Sequence, residues 1–174
     1  MEYVFTLKYQ LAVQDCDLDE IVERLGEAGC DDATIGVGQP GRIALVFTRE
    51  GTSAFEALVS ALQDIKQAVP SARLVEAGPD FVGLTDVAEV AGVSRQNMRK
   101  LMLSHALDFP PPVHEGSASV WHLSDILDWL NARGGYDIKA DIFDVAKSAK
   151  QINLAKEALQ LERRLNRRLE SLVA

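Results

Sequence analysis

The side chains best suited to chemistry lie in one short run, Ser94-Arg95-Gln96-Asn97-Met98-Arg99-Lys100. Arginine offers two parallel donors to guanine, Gln and Asn pair with adenine edges, and Ser94, a helix N-terminus and Lys100 suit phosphate oxygens. That chemistry is recognition of a nucleic-acid groove. The alternative for the same residues is an ordinary solvated helix face, but here they make a positive cluster inside an acidic stretch. Other candidates carry less. Gly36-Val37-Gly38-Gln39-Pro40-Gly41 matches the G-x-G-x-x-G of dinucleotide-binding loops. Such a loop must open a helix, whereas Arg42 to Phe47 reads as a strand, so these glycines are expected in a hairpin turn. Cys16, Cys30, His105, His114 and His122 show neither metal-ligand spacing nor a nucleophile–base pattern. The carboxylates from Asp15 to Glu23 lie where a solvated helix face puts them, so no metal, cofactor or enzymatic activity is expected.

The elements that must position the Arg95–Lys100 run are legible around it. Thr85 can cap a short helix carrying Val87, Ala88 and Ala91, and Gly92 can take the positive φ of a sharp interhelical turn. Ser94 then caps a second helix with Val93, Met98 and Leu101 facing inward and Arg95, Gln96, Asn97, Arg99 and Lys100 facing outward. Next comes Phe109 with three prolines, a turn at Glu115 to Ser117, and a return through Val120 and Trp121, which reads as a short β-hairpin. Ser124 is expected to cap a third helix with Ile126, Leu127, Trp129 and Leu130, ending at Gly134-Gly135. Helix, turn, helix, hairpin, helix is a winged helix.

At these residues the segment from Leu84 to Leu130 resembles the winged helix-turn-helix domains of the MerR superfamily and of the AlpA and excisionase-like regulators. The residues that carry the resemblance are Leu84-Thr85 with Val87-Ala88, the Gly92-Val93-Ser94 turn, Phe109-Pro110-x-Pro112-Val113, Trp121, and Asp125-Ile126-x-x-Trp129-Leu130. The resemblance implies that the helix from Ser94 to His105 enters a major groove while the wing touches neighbouring backbone. Such wings often carry Arg or Lys; the stretch from His114 to Ser119 has none, which leaves its contacts to Ser117, Ser119 and backbone amides. The expected DNA-binding set is therefore Thr85, Ser94, Arg95, Gln96, Asn97, Arg99, Lys100, Ser117 and Ser119.

Upstream, strands are expected at 3–11, 33–37, 42–48 and 72–76 and helices at 18–27 and 53–69, the order βαββαβ. Leu18, Ile21, Val22 and Leu25 form one helical stripe, and Phe55, Leu58, Val59, Leu62 and Ile65 another after Ser53, a plausible N-cap. Two such helices on one face of a small antiparallel sheet give a ferredoxin-like arrangement. Downstream, residues 138–174 lack Pro and Gly and predict one continuous helix of about 35 residues. Leu154, Ala158, Leu161, Leu165, Leu169 and Leu172 form a stripe that needs a partner, either the same helix of a second copy or the N-terminal sheet; the narrow terminal stripe favours the dimer. Arg163-Arg164 and Arg167-Arg168 lie off it, on a solvated face.

The whole reading is thus α+β with an acidic ferredoxin-like module at 1–78, a winged helix-turn-helix at 79–137 and a dimerisation helix at 138–174. Of 174 residues 47% are hydrophobic, enough for real cores, and the net charge of −8 argues at face value against binding phosphates. Its distribution changes that reading: residues 1–83 carry six Lys/Arg against fourteen Asp/Glu, 84–138 four against seven, and 139–174 eight against five. With no bilayer-length apolar run and no leader pattern, the expectation is a cytoplasmic protein. The leading functional expectation is a dimeric, sequence-specific DNA-binding regulator whose N-terminal module senses a small molecule or binds a protein. The alternative is an assembly or adaptor protein, or a phage-type excision or packaging factor, using the winged helix for protein or architectural contacts.

Overall fold

The computed structural model describes every residue except Cys16, Ser171 and Ala174, and only the backbone of Arg163, Arg164 and Asn166. The chain is α+β. Its N-terminal part runs β1 (Glu2–Gln10), α1 (Leu18–Glu27), β2 (Ala33–Val37), β3 (Arg42–Glu50), α2 (Ala54–Ala68) and β4 (Arg73–Gly78). The four strands form one antiparallel sheet in the order β2-β3-β1-β4. Alternation along β1 explains the layering: Tyr3, Phe5, Leu7 and Tyr9 are buried, while Glu2, Val4 and Lys8 are exposed. Phe5 lies opposite Phe47 of β3, their rings stacked with centroids 5.2 Å apart. Of the glycines of 36–41, Gly36 pairs with Ala44 within β2, and Gly38 and Gly41 belong to the β2–β3 turn, Gly41 at φ +75°.

Ser53 caps α2, its side chain accepting from the Glu56 N–H at 3.2 Å. The buried stripe of that helix differs from the expected one. Ala54, Ala57 and Ala61 join Leu58 and Ile65 in the core, whereas Phe55 is exposed. Small side chains let the helix lie close to the sheet, and a count of bulky residues alone misplaces the face. Arg49, on the helix side of β3, is buried and fully engaged. It donates to both carboxylate oxygens of Asp32 (2.7 and 2.9 Å), to Asp64 (2.6 Å), to Ser60 and to the Gly29 carbonyl.

The second core is built from β5 (Phe81–Val82), α3 (Leu84–Val90), α4 (Arg95–Ser104), β6 (Trp121–His122) and α5 (Leu123–Arg133). β5 pairs with β6, and a bridge between His114 and Val120 closes a short hairpin. Val87, Met98, Leu123, Ile126, Leu127 and Leu130 fill the centre. Trp121 donates its indole N–H to the Pro110 carbonyl at 3.0 Å and meets Phe109 edge-on, which pins the base of the hairpin. His122, rather than the expected Ser124, stands at the N-cap of α5; Ser124 is buried within the helix, because the chain passes from β6 into α5 without an intervening loop.

The C-terminal segment is two helices, α6 (Ala140–Ala158) and α7 (Arg163–Leu169), and not one. No helix-breaking residue separates them. α6 ends where its tertiary support ends: the described side chains from Leu159 onward are exposed, and an unsupported helix is marginal. α6 folds back on the N-terminal sheet, placing Val145 and Ala149 in the first core and Ala146 in the second. It does so with a face other than the leucine stripe: Leu154, Ala158, Leu161, Leu165, Leu169 and Leu172 are all exposed. The packed face ends in polar anchors on β4. The Asn153 amide accepts from the Ala77 N–H and donates to the Ala77 carbonyl, both at 2.8 Å, and Lys156 donates to the Val75 carbonyl at 2.6 Å. Asn153 also donates to Asp80, whose other oxygen lies 2.7 Å from His122 Nδ1, so a buried polar chain joins α6, the β4–β5 link and β6. No described helix is long and apolar enough to cross a membrane.

Candidate nucleic-acid interface

α3 and α4 are set against each other by local rules. The N-cap of α3 is Gly83, whose N–H donates to the Asp86 carboxylate at 2.8 Å; Thr85, expected as the cap, is exposed within the first turn. The carboxylate at the third helical position holds the N–H of the cap residue, and glycine supplies no side-chain acceptor of its own, so α3 starts without the hydroxyl cap expected of Thr85. Gly92 takes φ +67°, and Ser94 caps α4 by accepting from the Asn97 N–H at 3.1 Å. Met98 is fully buried and fixes the rotation of α4. That rotation turns Arg95, Gln96, Asn97, Arg99 and Lys100 outward, all exposed.

Among the described residues no ion pair or hydrogen bond engages the side chains of these five; Asn97 and Lys100 are bonded through their backbone groups alone. Elsewhere on the surface Lys147 pairs with Asp128 at 3.0 Å and Lys150 with Asp125 at 2.6 Å. Three unpaired cations therefore share one helical face. α4 and the 113–120 hairpin enclose a cleft of about 880 Å³ whose walls include Thr85, Arg95, Arg99, Ser117 and Ser119. A second depression of about 450 Å³ lies on the far side of α4, formed by Gln96, Arg99, Lys100, Leu103 and Ser104. Arg99 and Leu103 line both, so they form the ridge between them. Ser94 and Asn97 line neither, Ser94 standing at the start of the helix and Asn97 at its exposed flank.

Two features of this surface were not foreseen. Leu103 and Leu107 are exposed beside the arginines, and Glu115 of the hairpin lines the cleft they share. The helical spacing of Leu103 from Arg95 and Arg99 was the signal that could have placed it on this face. Among the described residues no three His, Cys, Asp or Glu side chains gather as metal ligands. Cys30 is buried with its thiol free, burial and then the Asp64 carboxylate pushing its pKa up to about 11; Cys16 lies outside the described residues. Comparison with protein-family models, curated proteins and solved structures gives no match.

Proposed function

We propose that the chain is a sequence-specific double-stranded-DNA-binding protein, a transcriptional regulator in its simplest reading, built as a winged helix-turn-helix beside a ferredoxin-like module. In this reading α4 lies in the major groove, Arg95, Gln96, Asn97 and Arg99 read base edges, and Lys100 and the Ser94 end of the helix hold phosphate. Thr85, Ser117 and Ser119 approach the backbone from either side of the cleft. The observation that carries it is the set of five adjacent polar side chains on α4 whose donors and acceptors no other part of the described chain takes up. Cations left open in this way are available to phosphate oxygens.

The test is a binding selection from random duplex DNA followed by gel shifts over a salt series. A selected site bound in preference to unrelated duplex, with affinity falling as salt rises, supports the reading. Failure to enrich any sequence, with no shift even at low salt, overturns it. A protein-contact role for the same surface is favoured by one specific observation, the exposed Leu103 and Leu107 facing a hairpin without basic residues. In that case Leu103→Ala and Leu107→Ala would abolish function while Arg99→Ala would not.

A further inference from the structure

α1, α2 and α6 pack against the buried odd-numbered residues of β1 and β3, so the opposite face of the N-terminal sheet is bare across its strands. On that face the register sets Val4 opposite Thr48, Thr6 opposite Val46, and Lys8 opposite Ala44. Thr34 and Gly36 of β2 continue the same rungs beside Val46 and Ala44. The centre is uncharged and β-branched, with Val4 57% and Val46 43% exposed. The two ends differ in sign. At one, Glu2 lies opposite Glu50, and no described ion pair engages either, although the Met1 ammonium bonds the nearby Gly51 carbonyl. At the other, Arg42 and Arg73 flank Gln10 on its two sides, one rung beyond the Lys8–Glu76 pair at 3.2 Å.

We propose that this face pairs with the same face of a second copy, strands antiparallel, the Glu2–Glu50 end of each copy lying over the Arg42–Arg73 end of the other. A two-fold contact uses one patch twice, and a patch of this shape can do so in two ways. An axis along the strands stacks acid on acid and base on base. An axis across the strands stacks opposite charges at both ends and the Val–Thr centres on each other, so the charge pattern selects the second. The leucine stripe of the C-terminal segment is the competing contact. It is interrupted at Leu159–Glu162 between α6 and α7, so it is not one continuous helical seam.

Size sets the strength. Nine residues of β1 at about 3.4 Å each give a length near 30 Å, and four strands about 4.8 Å apart a width near 19 Å. That is a small interface, so the dimer is expected to form and dissociate in roughly the micromolar range rather than to be obligate.

Sedimentation of the full chain from about 1 to about 500 μM spans that range. The expected result is a reversible monomer–dimer equilibrium, weakened about tenfold or more by Val46→Asp, by Glu2→Lys with Glu50→Lys, and by Arg42→Glu with Arg73→Glu. The decisive arm mixes the last two variants. Each repels itself at both ends but complements the other, so a heterodimer should reappear at wild-type strength. Thermal melts of each variant separate loss of pairing from loss of fold, and recovery in the mixture cannot come from unfolded protein. A chain that stays monomeric throughout overturns the proposal. So does a dimer that survives these changes and is instead dissolved by Leu161→Asp with Leu165→Asp, or by Gly36→Pro at the β2 edge. None of these outcomes depends on DNA binding.

Discussion

Arg95 and Arg99 stand one helical turn apart on the exposed side of α4, so each can address a different base step. Replacing either by alanine is expected to weaken a selected DNA site by about 1–3 kcal/mol and to relax preference at one position. Titration against a panel of single-base variants checks this; unchanged affinity with both arginines removed excludes base reading by α4. Arg49 represents the opposite use of the same side chain. It is buried against Asp32 and Asp64, and its removal strands both carboxylates, so Arg49→Ala should cost roughly 3–5 kcal/mol in urea unfolding. Lysine should restore only part of that, having no planar fork for the two oxygens of Asp32. Cys30 gives a third residue-scale outcome. With its pKa pushed up to about 11, chiefly by burial, its thiolate is scarce at pH 8, and alkylation of the native protein should be slow and accelerate on unfolding. Rapid labelling at neutral pH, followed by mapping to Cys30, would contradict the packing around it.

The turn between α3 and α4 rests on Gly92. A Cβ there would meet nothing within 4 Å, so Gly92→Ala isolates the cost of φ +67°, about 1 kcal/mol, without a clash. Asn153 is the corresponding point on α6. Asn153→Ala leaves the Ala77 N–H and C=O and one Asp80 oxygen without their partner, and about 3 kcal/mol of destabilisation is expected from thermal or urea unfolding. A change below about 0.5 kcal/mol would mean that the contact is replaced by water at no cost. These two elements also mark where reading the sequence succeeds and stops. Gly92, Ser94 and Met98 act through neighbours within a few positions, and their roles follow from local patterns of turn, cap and stripe. The strands of the N-terminal sheet alternate strongly enough to be placed nearly to the residue. Asn153 acts on Ala77, across 76 positions, and Asp80 reads as part of a turn until His122 and Asn153 are seen beside it. The expectation of one long helix failed for the same reason. Leucine spacing describes a helix alone, whereas the extent of α6 is set by what it touches on β4 and α2.

At the level of the whole molecule, the two cores share α6, which contributes Val145 and Ala149 to one and Ala146 to the other. Residues 1–78 by themselves therefore lack part of their core and the cover of β4. Such a fragment is expected to be less soluble and lower melting than the full chain, whereas truncation after Leu159 should leave the melting temperature within a few degrees. A 1–78 fragment as stable as the full chain would show that α6 docks without supporting the sheet. The cover over β4 also has a consequence in time. Asn153 and Lys156 occupy backbone groups of Ala77 and Val75 in the way a fifth strand would, yet they are synthesised long after the strand they cover. At about 5–20 residues per second, the ribosome needs roughly 4–16 s to go from Gly78 to Lys156. For that interval the nascent sheet has a complete hydrogen-bonding edge and nothing to close it. On polysomes, neighbouring chains carry the same open edge side by side, and the last third of the protein ends that exposure when it emerges.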